Sequence, residues 1–172
     1  MRYFLAFALI AALVSCGVQV NYDYDRTIDF TQYKTYNYFS DINTGLSELD
    51  NKRLFSAFDT KMQDMGFAKS DNPDFLVDIR SSTYQDTQQS NVGIGVGGTG
   101  GDVGGGVSVG IPLGYSNLNR EIIFNFVDQD KGLIWQAISA GTLSSSATPT
   151  EREDFLQRIV DKVLDGYPPK TK

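Results

Sequence analysis

The chain has 172 residues, 41% of them hydrophobic, with 21 acidic against 15 basic residues, a formal charge of −6, one cysteine and no histidine. The acidic balance and the lack of a basic cluster argue against nucleic acid as a partner. The missing histidine removes Ser-His-Asp and Cys-His nucleophiles along with the usual zinc sites, and a lone cysteine leaves no intrachain disulfide, so stability must come from a hydrophobic core.

The first element is an apolar run from Tyr3 to Val14, preceded by Arg2 and followed by Ser15 and Cys16. Twelve apolar residues are too few to span a bilayer but suit the core of a secretory signal. Leu13-Val14-Ser15-Cys16 reads as a bacterial lipobox, whose cysteine is diacylated, becomes the new N-terminus and is then N-acylated. Residues 1–15 are therefore predicted to be a signal peptide and Cys16 the lipidation site, several acyl chains anchoring stably where one does not. Their removal takes away Arg2 and no acid, which makes the mature chain more acidic. Gly17, not Asp, follows the cysteine, which predicts a lipid-anchored protein of the outer membrane facing the periplasm. No acidic cluster that would tag it for surface export follows.

In "VQVNYDYD" (18–25) Val18, Val20, Tyr22 and Tyr24 fall on one face, and "KTYNYF" (34–39) repeats the pattern with Tyr36 and Tyr38. Both predict half-buried strands, joined by a turn, "RTIDFTQY", that packs back through its aromatics. Strand tyrosines bury a ring and keep a wet hydroxyl, a simpler account of their density than a sugar-stacking platform. In "LSELDNKRLFSAFDTKMQDMGF" Leu54, Phe55, Phe58, Met62 and Met65 recur at helical spacing, with Ser47 and Asp50 as N-terminal caps and Gly66 as a stop. That stripe is expected to face the core. "SDNPDF" turns the chain into a strand at 75–84 with Phe75, Val77 and Ile79 on one side.

Residues 91–115 hold eleven of the seventeen glycines. Gly95-Val96-Gly97-Gly98-Thr99-Gly100 satisfies GxGxxG, but a dinucleotide site needs that turn to open a helix, and more glycine follows. There is no P-loop lysine. The apolar residues alternate instead: folding at Gly101-Asp102 sets Val92 opposite Ile111, Ile94 opposite Val109 and Val96 opposite Val107. A β-hairpin insertion with these six residues as a binding surface is predicted, with a loop or a disordered spacer as the alternative.

Residues 118–143 contain two apolar runs separated by "DQDKG", a hairpin signal. Asp128, Asp130 and Gly132 imitate the opening of a calcium loop, but its terminal glutamate is missing and a plain turn is expected. Trp135 is placed on one face with Leu133 and Ala137 as a core anchor. The last element opens with Thr148, Pro149 and Glu151, a capping box, and buries Phe155, Leu156, Ile159, Val160, Val163 and Leu164; Gly166 and Pro168-Pro169 end it.

Together these elements predict one α+β domain at 16–172, a largely antiparallel sheet with two amphipathic helices on one face and a Gly-rich insertion at 91–115. The lipobox, "VNYDYDRTIDFTQYKTYNY", "NPDFLVDI", "GLIWQAISAGTL" and "DKVLDGYPPK" resemble the bacterial lipoprotein family known as domain of unknown function 4136. The resemblance implies an envelope lipoprotein with no established activity and no catalytic residues to carry over. Two functions are weighed. The first is a non-enzymatic binding or structural module, needing no cofactor or metal, held to membrane lipid through acylated Cys16 and engaging an envelope protein or a cell-wall polymer. The alternative is a cell-wall hydrolase or transglycosidase using carboxylates such as Asp23, Asp25, Asp128 or Asp130. Each of these has an ordinary turn or strand-end explanation, so a non-enzyme is expected.

Overall fold

The structure, a computed structural model, describes residues 17–84 and 117–170. Strand β1 (Gln19–Tyr24) passes through a 3-10 turn (Phe30–Gln32) to β2 (Thr35–Tyr38). Then follow α1 (Glu48–Asp64), β3 (Ala68–Lys69), β4 (Phe75–Tyr84), β5 (Asn117–Asp128), β6 (Gly132–Ser144) and α2 (Pro149–Leu164). The six strands form one sheet in the order β1-β6-β5-β4-β2-β3. The four-strand block β1-β6-β5-β4 is antiparallel, whereas β2 lies parallel to both β4 and β3. The class is α+β, as the sequence predicts. The signal segment, Cys16 and the whole of 91–115, with Val92, Ile94, Val96, Val107, Val109 and Ile111, lie outside the described residues.

Period-two alternation builds the sheet side of the core. Phe75, Val77 and Ile79 of β4, Ile122, Phe124 and Phe126 of β5, and Trp135 and Ala137 of β6 are all buried on one face. Against them lie Leu54, Ala57, Phe58 and Met62 of α1 and the six apolar residues expected from α2. Each such side chain contributes about 1.5–3 kcal/mol by leaving water. The helices run the same way: Asp50 meets Arg152 near their amino ends and Lys61 meets Asp161 further along. Their caps follow the sequence, Ser47 accepting from the Asp50 amide and Thr148 exchanging hydrogen bonds with Glu151 in a full capping box. No described helix is long and apolar enough to cross a membrane.

Two local expectations need correction, and one strand lies outside the sequence expectations. Leu133 does not share a face with Trp135: Val127 pairs with Leu133 but Phe126 with Trp135, so Ile134 is an extra residue in a β-bulge. The bulge buries both Ile134 and Trp135 and turns Leu133 outward, 51% exposed. Asp50 does not cap α1, since its carboxylate points inward to arginines. Strand β3 is too short for an alternating pattern to reveal it; it pairs Ala68 and Lys69 with Thr35 and Tyr36.

Candidate functional site

Because both helices cover one face, the other face of the sheet, the bare face, carries no described helix. Its centre is a row of polar side chains set in register by the strands: Asp78 is opposite Asn125, Asn125 opposite Gln136, and Gln136 opposite Asp23. The side chains bond along the row. Gln136 Nε2 donates to Asn125 Oδ1 (2.7 Å), Asn125 Nδ2 reaches Asp78 Oδ2 (3.5 Å), and Arg80 Nε donates to the same oxygen (2.9 Å). Apolar rows flank it, Leu76, Val127 and Leu133 on one side, Ile123 and Ile138 on the other. Phe39, Asp41 and Asn43, on the loop after β2, wall off a cleft of about 740 Å³ above Asp78, Arg80, Asn125 and Gln136. The arrangement offers planar donors and acceptors on rigid strands and no nucleophile with a base beside it.

The carboxylates weighed for catalysis are spent on local structure. Asp25 accepts from the amide and hydroxyl of Thr27 (2.8 and 2.7 Å), which holds its carboxyl below the ordinary range. Asp23 accepts from the Tyr24 amide. Asp128 closes the β5–β6 turn, taking the amides of Asp130 and Lys131 on one oxygen and the Tyr33 hydroxyl (2.7 Å) on the other. Burial pushes Asp128 upward, but the Tyr33 hydroxyl, those amides and Lys131 outweigh it, so its carboxyl titrates below its usual value. Asp130 is exposed at that turn. Among the described residues no cluster of three or more His, Cys, Asp or Glu could hold a metal ion, and the DxDxG stretch is a turn closed by Gly132 at φ +79°. A general acid needs a raised pKa; hydrogen bonds instead hold Asp25, Asp29, Asp74, Asp128 and Glu151 below the ordinary carboxylate value.

The described tyrosines do not form a platform. Tyr33, Tyr36 and Tyr167 are core residues, and Tyr22 lies against Gly166, its hydroxyl donating to the Lys162 carbonyl. Tyr36 and Tyr38 both donate to Asp59 Oδ1 (2.8 and 2.7 Å), while Lys69 reaches Asp59 Oδ2. Burial, then the Asp59 carboxylate, pushes both hydroxyls well above the ordinary tyrosine value.

Two features escaped sequence reasoning. The polar row depends on strand register, which no single strand reveals. Asp50 is 2% exposed and holds Arg53 (2.9 Å), Arg152 (3.1 Å) and Arg120 (3.7 Å), each from a different element. A signal did exist for the second: Arg120 occupies the core-facing register of β5 alongside Ile122, Phe124 and Phe126.

Solved structures share this fold at low identity. A PDZ domain protein from Parabacteroides distasonis is similar over 97% of this chain with a TM-score of 0.58 and 14% identity, and the chain spans only 40% of that protein's length. The PelC dodecamer from Paraburkholderia phytofirmans is similar over 90% of this chain and 100% of its own, with a TM-score of 0.53 and 12% identity. No curated protein matches the chain in sequence. Residues 20–169 match the family model described as Domain of unknown function (DUF4136), and the chain belongs to that family.

Proposed function

We propose that the chain is a lipid-anchored envelope lipoprotein acting as a non-enzymatic binding module, which holds an envelope protein or a cell-wall polymer on the bare face of its sheet. The observation that carries this reading is the row Arg80, Asp78, Asn125 and Gln136 on the cleft floor, an array of hydrogen-bonding groups fixed on strands. The apolar run ending in Leu13-Val14-Ser15-Cys16 supports the anchor, and Gly17 supports an outer-membrane, periplasm-facing location. The hydrolase alternative is weakened by the turn roles of Asp25 and Asp128.

The Gly-rich segment belongs to the same proposal. Strands β4 and β5 pair Leu76 with Val127 and Tyr84 with Asn119. The pairing expected from the sequence, Val92 with Ile111, Ile94 with Val109 and Val96 with Val107, lies outside the described residues and is part of that proposal only. Amide exchange on the membrane-bound chain tests this point: unprotected amides throughout 92–96 and 107–111 would contradict it.

The binding reading is tested with purified full chain and cell-wall fragments or detergent-solubilised envelopes. The expected result is retention of a partner, weakened by Asn125→Ala with Gln136→Ala, and no turnover of the fragments. Release of soluble sugar by the wild-type chain would instead support the hydrolase.

A further inference from the structure

We propose that the end of the molecule where the chain enters β1 is a lipid-contact surface, and that the domain stands on the bilayer with its strands pointing away from it. The proposal rests on acylation of Cys16. Val18 is already fixed, within reach of any side-chain atom added at Gly141. Cys16 is two peptide steps away, at most about 7 Å. Whatever membrane holds the acyl chains therefore lies against this end.

Strand register identifies what else is there. Gly141 is opposite Arg120, and Arg120 opposite Thr83, so the row beginning at Val18 runs across the sheet to the end of β4. The chain leaves β4 at Tyr84 and re-enters β5 at Asn117 on this same side. Both helices begin here too, since Asp50 in the first turn of α1 bonds Arg152 in the first turn of α2, and Arg120 lies beneath them. Two helix amino ends thus point at the tethering membrane.

The side chains at this end suit an interface. Leu49, in the first turn of α1, is 62% exposed, the most exposed large hydrophobic among the described residues. The turn between β6 and α2 carries the hydroxyls of Ser144, Ser145 and Ser146. Of the acids beside it, Glu48 is engaged with Lys52 (2.8 Å) and Glu151 in the capping box, while Glu153 and Asp154 are exposed at the start of α2. The opposite end, about 40 Å away along β6, carries Asp25, Asp74, Asp128, Asp130 and Asp165 together with Arg26, Lys34 and Lys131. The short tether through Val18, with Leu49 exposed beside it, sets which end meets the bilayer.

The test uses the full chain, isolated in its acylated form, with acylation of Cys16 read by mass. Single-cysteine variants Leu49→Cys and Ser145→Cys at the near end, and Gln129→Cys and Asp165→Cys at the far end, carry a fluorophore in vesicles of phosphatidylethanolamine and phosphatidylglycerol containing nitroxide lipid. The expected result is quenching several-fold stronger at 49 and 145 than at 129 and 165. Equal or reversed quenching on acylated protein overturns the orientation. A label at 49 hidden from water-soluble quencher yet untouched by nitroxide lipid also overturns it, because a protein then covers that end. An unmodified Cys16 overturns the anchor itself, a failure the mass distinguishes from the other two.

Discussion

Single residues carry two opposite kinds of stress in this core. Asp50 is the only carboxylate among Arg53, Arg120 and Arg152, and Arg120 Nε and Nη1 are buried without a hydrogen-bond partner. Removing the acid leaves buried guanidinium charge uncompensated, so Asp50→Ala should cost about 3–5 kcal/mol, measured by urea unfolding. The Tyr167 hydroxyl is also buried without a partner, amid Phe126 (4.7 Å between ring centroids) and Trp135 (5.2 Å). Deleting an unsatisfied polar group is neutral to stabilising, so Tyr167→Phe should hold or raise Tm; a clear drop would show that the hydroxyl has a partner. At Asp128 the folded pKa lies below the unfolded one. The stabilisation is therefore complete above the ordinary carboxylate value of about 4 and is lost as pH falls through the depressed folded value. Asp128→Asn should flatten the fall in Tm on acidification from about pH 5 to pH 2, read from thermal melts. Some of this was legible in advance, such as Phe75, Val77 and Ile79 on one face. The pairing of Asp50 with Arg120 was not, because it joins α1 to β5 across 70 residues of sequence.

At the level of elements, local grammar did best where the signal was local. The Thr148-Pro149-Glu151 start of α2 appears as read, and Thr148→Ala should cost about 1 kcal/mol, with the loss visible as faster amide exchange in the first turn of α2. Strand alternation located β4 at its full length and the β5–β6 hairpin nearly so. It failed at Leu133, because a bulge inserts one residue and reverses the alternation beyond it, and a bulge leaves no mark on composition. The tyrosines of β1 and β2 look alike in sequence yet end up in different places. Tyr36 is fully buried beside Phe58 and Phe75, whereas Tyr22 stays 42% exposed as a cover over Gly166, since β1 is an edge strand and β2 is not.

For the whole molecule, the two-layer class followed from element order, but the strand order did not. Strands β1 and β2, close in sequence, are separated by β6, β5 and β4. That separation creates the polar row, since Asp78, Asn125, Gln136 and Asp23 come from four strands and line up only in this order. The same order leaves one broad face without a helix, and that face is the proposed binding surface. The direct measurement is photo-crosslinking in intact cells from a crosslinking residue placed at Leu133 or Gln136 on the bare face, against Thr60 or Gln157 on the outer helix surface. The account predicts discrete adducts from Leu133 and Gln136 and none from Thr60 or Gln157; adducts confined to the helix positions, or none from any of the four, would contradict it.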